Sequence, residues 1–96
     1  MQRDSALQIL AQSKPVLAQR FGVRDLALFG SMSQNLASAQ SDVDVLVAFD
    51  GPATSARFFG VQFFLEDALG RTVDLVTDKA LRPELRPFVE AQAIHV

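Results

Sequence analysis

The segment over residues 42–49, which reads Asp-Val-Asp-Val-Leu-Val-Ala-Phe, constrains the fold of this chain more than any other segment. It is rich in Val and is followed by Asp50-Gly51-Pro52, so it predicts a β-strand that ends in a turn. Successive side chains of a strand point to opposite faces of the sheet. Asp42 and Asp44 are therefore expected together on one face, and the alternating valines on the other.

The remaining segments predict an α+β fold, an α/β sandwich with a small mixed sheet and helices packed on one face. Ser5 and Gln8 have the spacing of a capping box, which predicts a helix that begins at Ser5. Because Pro15 fits only the first turn of a helix, a second helix is expected, capped by Ser13 and closed by Gly22. The further elements expected are a buried strand over 26–29 with a turn into a helix at 30, a helix from 54 or 55 to 69, a strand over 72–77, and a short or interrupted helix after 81.

Composition and charge exclude several classes of function. The 96 residues include no Cys and one His, which excludes a disulfide framework, a thiolate metal site and a multi-His metal cluster. The net charge of −2 disfavours nucleic acid as a direct partner, because such proteins usually carry a basic excess. No apolar run approaches the roughly 18–20 residues of a membrane span, and no secretory leader opens the chain. We therefore expect one cytoplasmic domain over residues 1–96.

Asp74 is a third acidic residue within a predicted strand. It lies among Val73, Leu75 and Val76, where a charge is costly unless it is paired, hydrated or bound to a metal. If its strand lies next to the strand at 42–49, the three carboxylates can hold one or two hard cations, which prefer oxygen ligands. The ordinary alternative is that the strand-start aspartates serve turns and that Asp74 is an exposed edge residue.

Gly30 and Ser31 follow the predicted buried strand directly. Glycine allows a phosphate to approach the backbone closely, and a helix that begins here would direct its free N–H groups at an anion. The serine hydroxyl would add one donor. A plain strand-to-helix turn also accounts for Gly-Ser, so the dipeptide alone leaves both interpretations open.

Taken together, Gly30-Ser31, the pair Asp42-x-Asp44 after ten intervening residues, and Asp74 on a later strand resemble the signature of the nucleotidyltransferase superfamily related to DNA polymerase beta. The lead-in to the Gly-Ser pair and the short apolar strand around the third aspartate are similar to the minimal nucleotidyltransferases. Members of that group are the antitoxin partners of HEPN-domain ribonuclease toxins.

This resemblance implies a Mg²⁺-dependent nucleotidyltransferase that transfers AMP from ATP to a protein hydroxyl, a tyrosine of the HEPN toxin, and so acts as its antitoxin. Gly30 and Ser31 would hold the triphosphate of ATP, and Asp42 and Asp44 would hold two Mg²⁺ ions. Asp74 would ligate one ion and help to deprotonate the attacking hydroxyl. Two such ions stabilise both the attacking and the leaving oxygens. The implied partners are the toxin and ATP, with no membrane and no direct nucleic acid, and the chain could form a homodimer in isolation.

One position departs from the family pattern. Relatives usually continue after Gly-Ser with a small residue, Arg and Gly, whereas here Ser33 is followed by Gln34-Asn35. The missing Arg removes a positive charge near the expected phosphates. A catalytically weak or inactive antitoxin, which neutralises the toxin by forming a complex, is therefore the alternative. Transfer to an antibiotic or to RNA fits the motif, but 96 residues leave no room for a separate acceptor domain.

Three other features have two interpretations each. The predicted helix around residues 58–65 is apolar almost all round, so its phenylalanines either fill the core from both flanks or form a partner surface. His95 is expected to fray with the end of the sequence rather than to act as a base or ligand. Arg82 and Arg86 would share a face of a helical tail, either solvated or facing a phosphate or a partner.

Overall fold

The computed structural model describes residues 1–34 and 42–96. It contains α1 (Arg3–Phe21), β1 (Val23–Phe29), α2 (Gly30–Ser33), β2 (Val43–Phe49), α3 (Ser55–Leu69), β3 (Val73–Thr77), a 3₁₀ turn (Asp78–Ala80), α4 (Arg86–Gln92) and β4 (Ile94–His95). This mixture confirms the predicted α+β class. None of the described helices is both long and apolar enough to cross a membrane.

The strands form one mixed sheet in the order β3-β2-β1-β4. β1 runs antiparallel to both β2 and β4, whereas β2 and β3 are parallel. Parallel neighbours require a crossover connection, and α3 provides it between β2 and β3. The strand that carries Asp44 is thus adjacent to the strand that carries Asp74, which is the arrangement on which the predicted carboxylate site depends.

The core lies between one face of the sheet and the two long helices. Val43, Val45 and Val47 of β2 are fully buried on this face, as their alternation predicts. They pack in one cluster with apolar residues of α1 and α3, among them Leu10 and Leu65. The opposite face, called here the open face, carries the intervening residues of β2. Part of the open face is bordered by α4, so the prediction that helices pack on one face holds for the two long helices.

The first helix differs most from the prediction. Arg3 begins α1, so Ser5 is not its N-cap, and Pro15 lies inside one continuous helix that ends, as predicted, at left-handed Gly22. The hydroxyl of Ser13 donates to the carbonyl of Ile9 at 2.7 Å instead of capping a second helix. A proline inside a helix costs about 3 kcal/mol. Burial of one stripe along the whole helix outweighs that cost; its members are Ala6, Leu10, Ser13 and Leu17.

The end of the chain joins the sheet, and the prediction that His95 frays was wrong. Ile94 and His95 pair with the middle of β1, and the next N–H donates to the carbonyl of Leu26 at 3.0 Å. Nδ1 of His95 lies 2.9 Å from Oδ2 of Asp25. Main-chain pairing therefore orders this edge although its sequence is too short to predict a strand.

The phenylalanines of α3, which begins and ends where the sequence predicts, divide between the core and the surface, and a partner surface on this helix stays a prediction. Phe58 and Phe64 are partly buried and pack against the core. Phe59 and Phe63 are 49% and 64% exposed, and their rings stack at 6.1 Å. α3 therefore has an inner face that belongs to the core and an outer face with exposed aromatic rings.

Candidate active site

Asp44 and Asp74 lie side by side at one end of the open face. Each is the second residue of its strand, and the parallel register pairs the two directly. Neighbouring strands are about 4.8 Å apart, so side chains at paired positions meet. In its protonated form Asp44 donates a hydrogen bond to Asp74. We call these two residues the acidic pair.

The surroundings of Asp44 disfavour its negative charge. Burial is the largest of four causes that together raise the pKa of Asp44 from 3.8 to about 6. The others are, in order of size, the charge of Asp74, the hydrogen bond to Asp74 and the charge of Asp42. A bound cation would offset all of these charge effects. The acidic pair therefore has the electrostatics of a site that is most stable either protonated or bound to a cation.

Asp42 immediately precedes β2 and is exposed. Strand alternation places it on the same side as Asp44, and its charge acts on Asp44, although less than that of Asp74. Within residues 1–34 and 42–96, no three carboxylate or imidazole side chains converge closely enough to form a preassembled metal-binding group. The donors at the acidic pair are carboxylate oxygens, which suit Mg²⁺ and not a soft metal.

Gly30 leaves room for the carboxylate of Asp44. Its φ is +75°, and a Cβ at this position would overlap Oδ2 of Asp44 and lie 2.9 Å from Cγ. The residue before it, Phe29, is paired with Asp44 in the sheet, which explains the close approach. Sequence reasoning assigned Gly30 to phosphate approach alone. The structure gives it a second requirement, the packing of the Asp44 side chain.

Ser31 follows in α2, which is four residues long, and its side chain is half-buried. The hydroxyl of Ser33 donates to the carbonyl of Gly30 at 2.7 Å and closes this short helix. The exposed Gln34 is the C-cap of α2, and Asn35, the second residue of the family departure, lies outside the described residues. The structure thus brings Gly30 against Asp44, and Ser31 follows it directly in α2.

Two side chains of α3 hold the first residue of β3, and sequence reasoning missed both. Oε2 of Glu66 accepts the N–H of Val73 at 2.9 Å, and Nε2 of Gln62 donates to the carbonyl of Val73 at 3.3 Å. Val73 immediately precedes Asp74, so these two hydrogen bonds fix the position of the main chain next to Asp74. The only available signal was the four-residue spacing of Gln62 and Glu66, which places them on one face of the helix.

A cavity of about 370 Å³ lies further along the open face. Its floor is formed by Leu46 and Ala48, the next two residues of β2 on the same side as Asp44. Charged residues surround the floor; they are Arg24, Asp25, Asp78, Arg86, Glu90 and His95. Five elements supply the lining residues, and they come from three separate stretches of the chain, 24–25, 46–48 and 78–95, which is why sequence reasoning did not predict the cavity.

Sequence comparison places these features in a known context. Residues 10–95 match the family model of the nucleotidyltransferase domain. The protein adenylyltransferase MntA of Thermococcus cleftensis is 36% identical over 88 residues, which cover 92% of this chain and 89% of that protein. A candidate protein adenylyltransferase of Methanocaldococcus jannaschii is 35% identical over 89 residues, with coverage of 92% and 91%.

Solved structures agree with this comparison. A candidate minimal nucleotidyltransferase superposes with a TM-score of 0.82 at 33% identity and covers 98% of this chain and 95% of its own. A complex of tri-AMPylated Shewanella oneidensis HEPN toxin with its MNT antitoxin gives a TM-score of 0.60 at 22% identity, over 97% and 66% of the two chains. The second likeness supports the fold alone. The matched domain and the full-length relatives together show that this chain belongs to the nucleotidyltransferase-domain family.

Proposed function

We propose that this chain is a Mg²⁺-dependent enzyme that transfers AMP from ATP to a tyrosine hydroxyl of a HEPN-domain toxin, and that it acts as the antitoxin. The acidic pair carries this proposal, because Asp44 and Asp74 present two oxygen-rich side chains at one point of an accessible face. The relative from Thermococcus cleftensis is a protein adenylyltransferase, and one related fold was solved in complex with an AMPylated HEPN toxin.

In this reaction Asp42 and Asp44 would hold the metal and Asp74 would contact both metal and acceptor. Bound Mg²⁺ ions supply positive charge at the phosphates and at the attacking and leaving oxygens. A bond forms between the tyrosine oxygen and the α-phosphorus, the bond between that phosphorus and the bridging oxygen breaks, and pyrophosphate leaves. Asp74, the more exposed member of the acidic pair, takes the phenolic proton.

Gly30 and Ser31 would contact the triphosphate. Gly30 lies against Asp44 and Ser31 follows it directly, and Gly30 has no side chain to obstruct a ligand at that point. The N–H groups at the start of α2 and the hydroxyl of Ser31 are the available donors. ATP and two metal ions are therefore part of the proposal, as is the single nucleotidyltransferase domain over residues 1–96.

The second candidate function is neutralisation of the toxin by binding alone. It is favoured by Gln34-Asn35, which stands where relatives carry Arg-Gly and leaves the phosphates without that cation. The exposed rings of Phe59 and Phe63 would provide contact area for a complex that needs no catalysis. The two candidates share the fold and the partner but differ in their need for the carboxylates.

Intact-mass spectrometry separates the two candidates. A purified HEPN-domain partner is incubated with this chain, ATP and Mg²⁺, and the double variant Asp42→Asn, Asp44→Asn serves as the control. A gain of one or more AMP units that is absent with the double variant would support the enzyme. A stable complex with no mass gain, and equal neutralisation by the double variant, would support binding alone.

A further inference from the structure

We propose that the cavity on the open face, between β1, β2, β4 and α4, is the docking site for the polypeptide segment that carries the acceptor hydroxyl, and that it prefers a segment with a basic side chain. We call it the acceptor cavity. The inference rests on the proposed function and deepens it, because AMP transfer to a protein requires a second binding site beside the acidic pair.

The position of the acceptor cavity suits an acceptor. Leu46 and Ala48 form its floor and follow Asp44 on the same face of the same strand. At about 3.3 Å per residue, Leu46 lies roughly 7 Å along the strand from Asp44. A polypeptide that lies over this floor can therefore present a side chain to the acidic pair. The volume of about 370 Å³ falls within the range of ligand sites.

Most charged groups around the acceptor cavity already have partners. His95 pairs with Asp25 at 2.9 Å, and Arg86 pairs with Glu90 at 3.2 Å. Arg86 also donates to the carbonyl of Asp78 at 2.6 Å. The His95–Asp25 contact joins β4 to β1 and the Arg86–Asp78 contact joins α4 to the turn after β3, whereas the Arg86–Glu90 pair lies within α4. The walls of the acceptor cavity therefore consist of side chains that contact one another or the main chain of a neighbouring element.

The carboxylate of Asp78 and the guanidinium of Arg24 form no hydrogen bond or ion pair within the described part of the chain. Asp78 is half-buried, whereas Arg24 is exposed. Three carboxylates, two guanidinium groups and the imidazole of His95 line the cavity, which gives a net charge of −1 when the imidazole is neutral, and the acidic pair lies on the same face. The excess of negative charge disfavours the phosphates of a nucleotide here and favours a lysine or arginine beside the acceptor hydroxyl.

The outer side of α4 favours a polypeptide over a small molecule. Leu85, which caps α4, is 48% exposed, and Phe88 within α4 is 68% exposed. Neither residue lines the acceptor cavity, and Phe88 lies two residues from both Arg86 and Glu90, so it faces away from the wall that these two form. A polypeptide that continues from the cavity around α4 would contact these apolar side chains, whereas a free small acceptor in the cavity would not reach them.

Titration of the ¹⁵N-labelled full chain with two tyrosine peptides of equal length tests this proposal, one flanked by lysines and one by glutamates. The lysine peptide should shift the backbone amides of Leu46, Ala48 and His95 saturably, at least 10-fold more tightly than the glutamate peptide. Asp78→Lys should abolish this preference, and the milder Asp78→Asn should reduce it. Asp67→Lys, a matched change on the exposed side of α3, should leave it unchanged.

Equal affinity for the two peptides, shifts confined to other elements, or no saturable shift at millimolar peptide would overturn the proposal. The same mixtures with ATP and Mg²⁺, analysed by mass spectrometry, report the proposed function separately. Peptide binding in the cavity without AMP transfer would count against the enzyme and not against the cavity. AMP transfer without shifts of the cavity amides would count against the cavity and not against the enzyme.

Discussion

Asp44 and Asp74 occupy paired positions in two parallel strands, so that a hydrogen bond joins the two carboxyl groups across the sheet when Asp44 is protonated. Such a pair is costly when both groups are charged, because two like charges repel in partly buried surroundings. Folding therefore places unfavourable electrostatics at the point where the proposed reaction would need a cation. Several measurable consequences depend on this relationship and on the residues that maintain it.

The pH dependence of stability should reveal the acidic pair. The pKa of Asp44 is raised from 3.8 to about 6, so the folded state binds this proton more tightly than the unfolded state does. Without metal, the free energy of unfolding should therefore fall as the pH rises from about 4 to about 6 and stay lower above it. The contribution should be about 1 kcal/mol, because partial exposure reduces the full effect of the shift.

Urea unfolding in EDTA at both ends of this range checks the prediction, with Asp44→Asn for comparison. The variant cannot ionise at this position, so it should be more stable than the parent near neutral pH and lose that advantage near about pH 4. Added Mg²⁺ should stabilise the parent at neutral pH and leave Asp44→Asn nearly unchanged. A stability difference that stays constant with pH would contradict the argument.

Gly30→Ala should disrupt the acidic pair in addition to straining the backbone. At a positive φ, alanine is about 1–2 kcal/mol less stable than glycine. The new methyl group would also displace the carboxylate of Asp44. Gly70→Ala is the matched control, because φ there is +66° but nothing lies within 4 Å of the added Cβ. Both variants should lose stability in urea unfolding, and only Gly30→Ala should lose Mg²⁺-dependent stabilisation and AMP transfer. Equal effects of the two changes on AMP transfer would disprove this role.

Glu66 should act as a positioning residue for Asp74. Loss of its hydrogen bond to the N–H of Val73 should cost about 1–2 kcal/mol in Glu66→Ala and let the start of β3 shift against β2. We expect kcat for AMP transfer to fall about 10-fold while the KM for ATP changes little. Glu66→Gln keeps an acceptor oxygen and should restore most of the rate. A loss of stability without a change in kcat would indicate a purely structural contact.

Pro15→Ala should stabilise the protein. In the continuous helix α1, Pro15 lacks the N–H that would bond to the preceding turn, so alanine should gain up to about 3 kcal/mol. If a separate helix began at Pro15, its fixed φ would be favourable there and alanine would destabilise the protein. Urea unfolding distinguishes the two cases by sign. Val16→Ala, at a neighbouring position that is 38% exposed, is a control for a general effect of substitution in this helix.

Local sequence signals were sufficient for much of the fold. The valine-rich alternation over 42–49 predicted β2 and its buried face, and the helix stops at Gly22 and Gly70 were correct because each needs only one residue with a positive φ. The spacing of Gly30-Ser31, Asp42-x-Asp44 and Asp74 also indicated the family that the comparisons show. That these residues carry the chemistry stays a prediction.

Other features depend on contacts between distant segments and could not be predicted locally. The position of Pro15 predicted two helices, but the row of buried residues along the whole of α1 stabilises a single continuous helix. The short pairing of His95 with β1 has no periodic pattern of its own. The cavity needs residues from five elements, and no spacing in the sequence relates them.

By itself, the sequence determined which residues alternate, where the chain turns and which acidic side chains share a face of their strand. Only the tertiary structure decided that Asp44 lies opposite Asp74 and against Gly30, since a one-residue slip of β3 would have turned Asp74 into the core. The physical reason is that register depends on how α3 packs and where Glu66 and Gln62 hold Val73. The packing of α3 and these hydrogen bonds are contacts between separate segments, and their energies cannot be predicted from a local sequence pattern.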